Sequence, residues 1–253
     1  MLEQLELDRP ELVTTNMLAD LLQAQGIGTA PRVVAARLRE RGWLLPTPQR
    51  GVWEFAPAEV AGPYSRHDPV MPLLAYLTRH PNAECALTFQ AAAWARQRAD
   101  RAPTRLEVAV GSSRVAATLP SQLDPSVFTP ALEPEMIRQV PVLAAESVLI
   151  NMTTKPSDVR SWESAREWLP ELAAELRLSE LQQELAHRPK TVTARTGYLL
   201  SAMRPDLAEA LTVSAPATVT WFGPREHVRR RDRTWMIVDT LLPFDPKTLE
   251  AAS

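Results

Sequence analysis

Between Thr29 and Pro57 the chain reads TAPRVVAARLRERGWLLPTPQRGVWEFAP, and arginine is almost its only charge. Thr29 suits a helix N-cap, Pro31 has the fixed backbone angle of a first helical turn, and Gly42 suits the position just past the end. Two short apolar runs, Trp43–Leu45 and Val52–Phe55, flank the turn-rich Pro46–Gly51, which is the punctuation of a β-hairpin. Residues 27 to 53 carry five arginines (32, 37, 39, 41 and 50) against Glu40, a net of +4 in a chain whose net charge is −2. A positive helix followed by a hairpin is the form in which a winged helix-turn-helix meets DNA. The local inversion of charge therefore directs the reading of function.

The segment ahead of the basic helix fits the same plan. Thr15 can cap a helix whose Met17, Leu18, Leu21 and Leu22 fall on one stripe, and the helix stops at Gly26. Gly26 to Thr29 is then the short turn between two helices, and Leu2, Leu5 and Leu7 supply an earlier helix. Turning the basic helix by about 100° per residue places Val34 and Leu38 inward and Arg32, Ala36 and Arg39 on the opposite face. Arg32 and Arg39 can then offer paired donors to guanine O6 and N7, with Ala36 keeping that face slim. Arg37 and Arg41 sit toward the inner boundary and suit phosphates. Gln49 and Arg50 form the tip of the wing. Thr14, Thr15 and Thr29, as capping residues whose hydroxyls reach a phosphate, complete the candidate DNA-binding set. Trp43 and Trp53 read as core.

Beyond the hairpin, residues 57 to 72 hold four prolines and read as a linker. Helices are expected at Val70–Thr78, Thr88–Arg98, Ala144–Met152, Ser161–Leu176, Ser179–His187 and Thr191–Met203. Strands are expected at Leu106–Val110, Val115–Leu119, Ser126–Phe128, Ala217–Phe222 and Thr234–Leu242, with the arginine-rich 225 to 233 between the last two. The fold class is α+β: a winged helix-turn-helix over residues 1 to 60, then a larger mixed α/β domain with a helical bundle portion over 61 to 253.

Catalytic patterns are missing from the sequence. The histidines, His67, His80, His187 and His227, stand in no HExxH or HxH spacing, and GxSxG, P-loop and GxGxxG motifs do not occur. Gly111-Ser112 followed by Asp124 approaches a nucleotidyltransferase signature, but Ser126 stands where a second carboxylate is needed to bridge two cations. Cys85, the single cysteine, excludes an internal disulfide and reads as a small buried hydrophobe. The expectation is a protein without catalytic residues, metal or cofactor. The chain has no run of 18 apolar residues and no signal-peptide pattern at its start, so a cytoplasmic location and no membrane partner are expected.

The segments RVVAARLRERGWLLPTPQRGVWEFAPAE, DPVMPLLAYL, ALTFQAAAWA and RPKTVTARTGYLLSAM, in this order, resemble AbiEi-type antitoxins of bacterial type IV toxin–antitoxin systems. The similarity is closest to actinobacterial members with an N-terminal winged helix, and it runs from about Val13 to Leu242. The resemblance implies a repressor that binds inverted repeats in double-stranded operator DNA upstream of its own operon. It also implies a larger domain that counters a nucleotidyltransferase-like toxin without a stable complex. Carried onto this chain, the recognition helix is Arg32 to Arg41 and the wing Pro46 to Trp53. Arg188, Lys190 and Arg195 mark a possible second surface. Glu3, Glu6, Asp8 and Glu11 make the front of the module negative. With no heptad or long apolar stripe to form a seam, the expected state is a monomer or weak dimer that pairs on DNA. A ligand-responsive regulator and a protein-binding adaptor are the rival readings.

Overall fold

The computed structural model describes residues 1–62, 68–214 and 218–249. Pro63 and His67, within the expected linker, and Ala217, the expected start of a strand, lie outside the described residues. The fold is α+β, and the chain divides into two compact units, 1–83 with 118–123, and 84–117 with 124–253.

The first unit runs α1 (Leu2–Asp8), β1 (Leu12–Thr14), α2 (Thr15–Ala24), α3 (Pro31–Glu40), β2 (Leu44–Pro46), β3 (Val52–Phe55) and α4 (Met71–Arg79). Its three strands pair antiparallel in the order β1-β3-β2, with Val13 opposite Trp53 and Leu45 opposite Glu54. Leu5 of α1, Leu18 and Leu22 of α2, and Val34, Ala35 and Leu38 of α3 meet Val13, Leu44 and Phe55 in one core, with Trp43 and Trp53 partly buried against it. Burying a Leu or Val side chain contributes roughly 1.5–3 kcal/mol. Turning α3 the other way would expose Val34 and Leu38, with Ala35, and bury unpaired guanidinium groups, so its orientation is strongly decided.

Two caps differ from expectation. Thr14, not Thr15, caps α2, and its Oγ1 accepts from Met17 N at 3.2 Å. The reason is the short strand β1, which the sequence hides: pairing with β3 holds the chain extended up to Thr14. Ala30, not Thr29, is the N-cap of α3, with no side-chain hydrogen bond, while Pro31 opens the helix as expected.

The residue-60 boundary expected from the sequence falls inside the first unit, because α4 groups with it. The Arg79 guanidinium on α4 donates to Arg50 O in the hairpin, and Tyr76 Oη pairs with Thr118 Oγ1 at 2.9 Å.

The second unit contains β4 (Cys85–Leu87), α5 (Phe89–Ala95), β5 (Leu106–Val110), α6 (Ser113–Ala116), β6 (Leu123–Val127, from Asp124 on), β7 (Glu135–Ile137) and β8 (Val140–Val142). There follow α7 (Ala145–Thr154), α8 (Trp162–Ala174), α9 (Leu178–Leu185), α10 (Lys190–Leu200), α11 (Pro205–Thr212), β9 (Thr220–Phe222), β10 (Arg230–Asp232) and β11 (Ile237–Asp239). A mixed sheet has the order β6-β5-β4-β8-β7, and a smaller one the order β10-β11-β9. The strand expected at Val115–Leu119 is instead the short helix α6, because Ser112 Oγ accepts from Val115 N at 3.3 Å and starts a turn. The helix expected to reach Met203 ends at Leu200, and a new one starts at Pro205, since the residue before a proline is pushed out of helical geometry.

Buried polar groups organise this second core. Asn151 Nδ2 donates to Thr88 Oγ1 at 3.0 Å, and Ser126 Oγ donates to Asn151 Oδ1 at 3.3 Å. Tyr198 Oη donates to Asp239 Oδ2 at 3.2 Å, and that carboxylate also pairs with Arg230 at 3.0 Å. Glu107 on β5 is 4% exposed, and its Oε2 accepts from Ala91 N at 2.9 Å. Burial pushes its carboxyl up from 4.5 to about 7. Folding therefore takes up a proton at Glu107 between those values. That contribution to stability is complete at low pH and falls as pH rises through about 7. In E107Q, urea midpoints followed from pH 4.5 to 8 are expected to fall less with pH than in the wild type; parallel curves would contradict this.

Candidate nucleic-acid interface

The basic face of the first unit begins with how α3 is held. Val34, Ala35 and Leu38 are buried, whereas Arg32, Ala36, Arg37, Arg39 and Arg41 are exposed. Gly42, with φ +76, ends the helix, and Trp43 N donates to Leu38 O at 2.9 Å, turning the chain into β2. The intervals of three and four residues between Arg32, Ala36 and Arg39 put them on adjacent turns of one face. The structure thus brings those three together, with Arg37 and Arg41 beside them.

The hairpin tip is tied down from three directions. Thr47 Oγ1 donates to Val52 O at 2.8 Å and accepts from Gln49 N at 3.2 Å, closing the loop. Thr15 at the start of α2 gives its amide to Gly51 O at 3.0 Å and its hydroxyl to the same oxygen at 3.3 Å. Arg79 Nη2 donates to Arg50 O at 2.7 Å. Gln49 is half-buried and Arg50 exposed, so the tip presents both side chains from a fixed backbone.

These contacts alter the role of the threonines. The Thr15 hydroxyl proton is used on Gly51 O, so that side chain is left to accept rather than donate to a phosphate. Thr14 Oγ1 accepts from Met17 N and keeps its proton to donate. Thr29 is half-buried in the turn ahead of α3. Among the acids expected to make the front negative, Glu6 holds the Ala58 amide at 2.8 Å.

A cleft of about 580 Å³ lies beside α3 and the hairpin tip, lined by Thr15, Arg32, Gln49, Arg50, Gly51, Trp53, Arg79 and His80. Four of these are expected site residues, and among the described lining residues there is no carboxylate. Arg79 and His80 escape a sequence reading, because they follow an ordinary apolar helix and reach the hairpin only through the tertiary fold.

In the second unit, the three residues of the expected second surface separate. Lys190, the first residue of α10, is exposed. Arg188 lies 4.4 Å over the Phe128 ring, bonds Thr129 O and pairs with Glu184 at 3.5 Å. Arg195 turns inward: its Nε donates to Trp221 O at 2.8 Å and its Nη1 to Thr153 O and Thr154 O, both at 3.1 Å. Burial lowers its pKa. Arg195 is therefore a clamp on carbonyls rather than part of an exposed basic face, because the last turn of α7 needs acceptors satisfied there.

Elsewhere, Asp124 pairs with Arg160 and Ser126 is buried on Asn151. Cys85 is buried, and desolvation pushes its thiol up to about 11. Among the described residues no group of three or more His, Cys, Asp or Glu side chains is placed to hold a metal ion, and no helix is long and apolar enough to cross a membrane.

Residues 83–202 match the family model described as the AbiEi antitoxin C-terminal domain. A crystal structure of the RV2827C protein from Mycobacterium tuberculosis is similar over 95% of this chain and 90% of that chain, with a TM-score of 0.79 and 26% sequence identity. No curated protein matches the chain. The resemblance to AbiEi-type antitoxins is thus borne out over the stretch that the family model covers.

Gly51 has φ +75, and a Cβ there would stand 2.7 Å from Thr15 Oγ1 and 3.1 Å from Arg79 Nη2. Gly51→Ala is expected to cost about 1–3 kcal/mol of stability in urea unfolding. Gly28→Ala, with nothing within 4 Å of the new Cβ, should stay within about 0.5 kcal/mol. Equal effects of the two would contradict the tip geometry.

Proposed function

We propose that this chain, which carries an AbiEi antitoxin C-terminal domain over residues 83–202, is a transcriptional autorepressor that acts as antitoxin to a nucleotidyltransferase-like toxin. It binds inverted repeats in its own promoter through the first unit. The order α1-β1-α2-α3-β2-β3, with sheet order β1-β3-β2, supports a winged helix-turn-helix in which α3 reads and residues Pro46 to Trp53 form the wing. The observation that carries the reading is the outer face of α3, where exposed Arg32 and Arg39 flank Ala36 while Val34, Ala35 and Leu38 fix the helix to the core.

On this reading Arg32 and Arg39 meet guanine edges in the major groove, and Arg37, Arg41 and Arg50 meet phosphates. Thr14 gives its hydroxyl to a phosphate, and Gln49 works beside Arg50 at the wing. Two copies pair only when neighbouring half-sites hold them together. The second unit opposes the toxin without forming a stable complex, and its chemistry needs no cofactor. The protein works in the cytoplasm, where its operator is.

Gel-shift titration against the DNA upstream of its own gene tests the assignment. Arg39→Ala is expected to cost about 1–3 kcal/mol and to relax sequence preference. Arg50→Ala should weaken all duplexes alike and flatten the salt slope by about one. Equal binding by the wild type and R32A/R39A would refute the interface. The two roles separate on co-expression with the adjacent toxin gene from an unrelated promoter: R32A/R39A should still rescue growth. Loss of rescue with that variant would tie neutralisation to DNA binding instead.

A further inference from the structure

Three guanidinium groups line one cleft of the first unit, and they come from three different elements: Arg32 from α3, Arg50 from the hairpin and Arg79 from α4. Arg79 is exposed, and among the described residues its guanidinium makes one hydrogen bond, to Arg50 O. A guanidinium has five N–H donors, so most of its donor capacity faces the cleft or solvent. The planar fork of arginine matches a tetrahedral phosphate with paired donors. Among the described residues that line the cleft none is acidic. Positive charge is therefore concentrated at the place where an anion fits.

Position distinguishes a polymer from a small ion. Arg32 belongs to the outer face of α3, so an anion seated beside it is continuous with whatever α3 touches. Arg79 also fixes the carbonyl of Arg50, while Thr15 fixes the next carbonyl, that of Gly51. Arg79 thus holds the wing tip in place and contributes charge next to it.

We infer that this cleft seats a backbone phosphate of duplex DNA, and that Arg79, on a helix after the hairpin, is one of its three cationic ligands. The inference rests on the DNA-binding reading above and extends the binding module from the hairpin to the end of α4.

The test uses the full chain, a fluorescent duplex of its upstream region and a scrambled duplex, with affinity measured by anisotropy across a potassium chloride series. Arg79→Gln keeps a donor for the Arg50 carbonyl but removes the charge. Arg79→Lys keeps the charge and tests for rescue should the glutamine variant lose its fold. R79Q is expected to reduce the slope of log K against log salt by about 0.9, equally on both duplexes. R79K should keep the wild-type slope. An unchanged slope in R79Q, or a slope in R79K as shallow as that of R79Q, overturns the inference while leaving DNA binding intact. Wild-type protein without salt-dependent duplex affinity would remove the DNA reading itself. Binding of inorganic phosphate by the wild type, seen by phosphorus NMR, together with an unchanged R79Q slope, would assign the seat to a free anion and overturn the duplex assignment.

Discussion

Burial of Val34, Ala35 and Leu38 against Leu18, Leu22 and Phe55 is the constraint on which the basic face depends. Apart from Val33, which stays 44% exposed, the remaining positions of α3 are three arginines, Glu40, Pro31 and Ala36, none of which gains comparably by going inward. Core packing and surface charge are therefore one decision. Fixing the apolar stripe fixes where Arg32 and Arg39 point, and a single rotation of the helix would forfeit both.

The hairpin adds rigidity of a different origin. Its tip lacks a buried apolar anchor of its own, and hydrogen bonds to backbone carbonyls hold it: Thr15 on Gly51 O and Arg79 on Arg50 O. A wing held in this way keeps Gln49 and Arg50 at set positions relative to α3 and loses less conformational entropy when a partner docks. Inside the second unit, arginine has the opposite task. Arg195 and Arg230 donate inward to carbonyls and to the buried Asp239, and they stabilise packing rather than advertise charge. The same residue type thus serves two ends, separated by burial.

Local punctuation made α3 and the hairpin legible in the sequence. Pro31 and Gly42 bracket the helix, and the apolar runs on either side of residues 46–51 become β2 and β3. The helical rotation also placed Val34 and Leu38 inward and Arg39 outward. Strand β1 was not legible, because three residues are too few to show alternation, and its pairing partner lies some forty residues on. Val115–Leu119 looked like a strand by composition, yet the Ser112 cap decided for a helical turn. For Arg195 the resemblance implies an exposed second surface; the carbonyls of Thr153, Thr154 and Trp221, remote in sequence, draw it inward. Arg79 was invisible for the same reason, since its significance comes from a contact across 29 positions of the chain.

The most direct test of the central claim replaces guanine by 7-deazaguanine throughout the upstream duplex, which removes N7 from the major groove and leaves the phosphates unaltered. Each guanine–arginine pair that loses N7 should cost about 1–3 kcal/mol, so wild-type affinity should fall at least several-fold while R32A/R39A stays unaffected. Wild-type protein binding both duplexes equally tightly would contradict an arginine face that reads the groove.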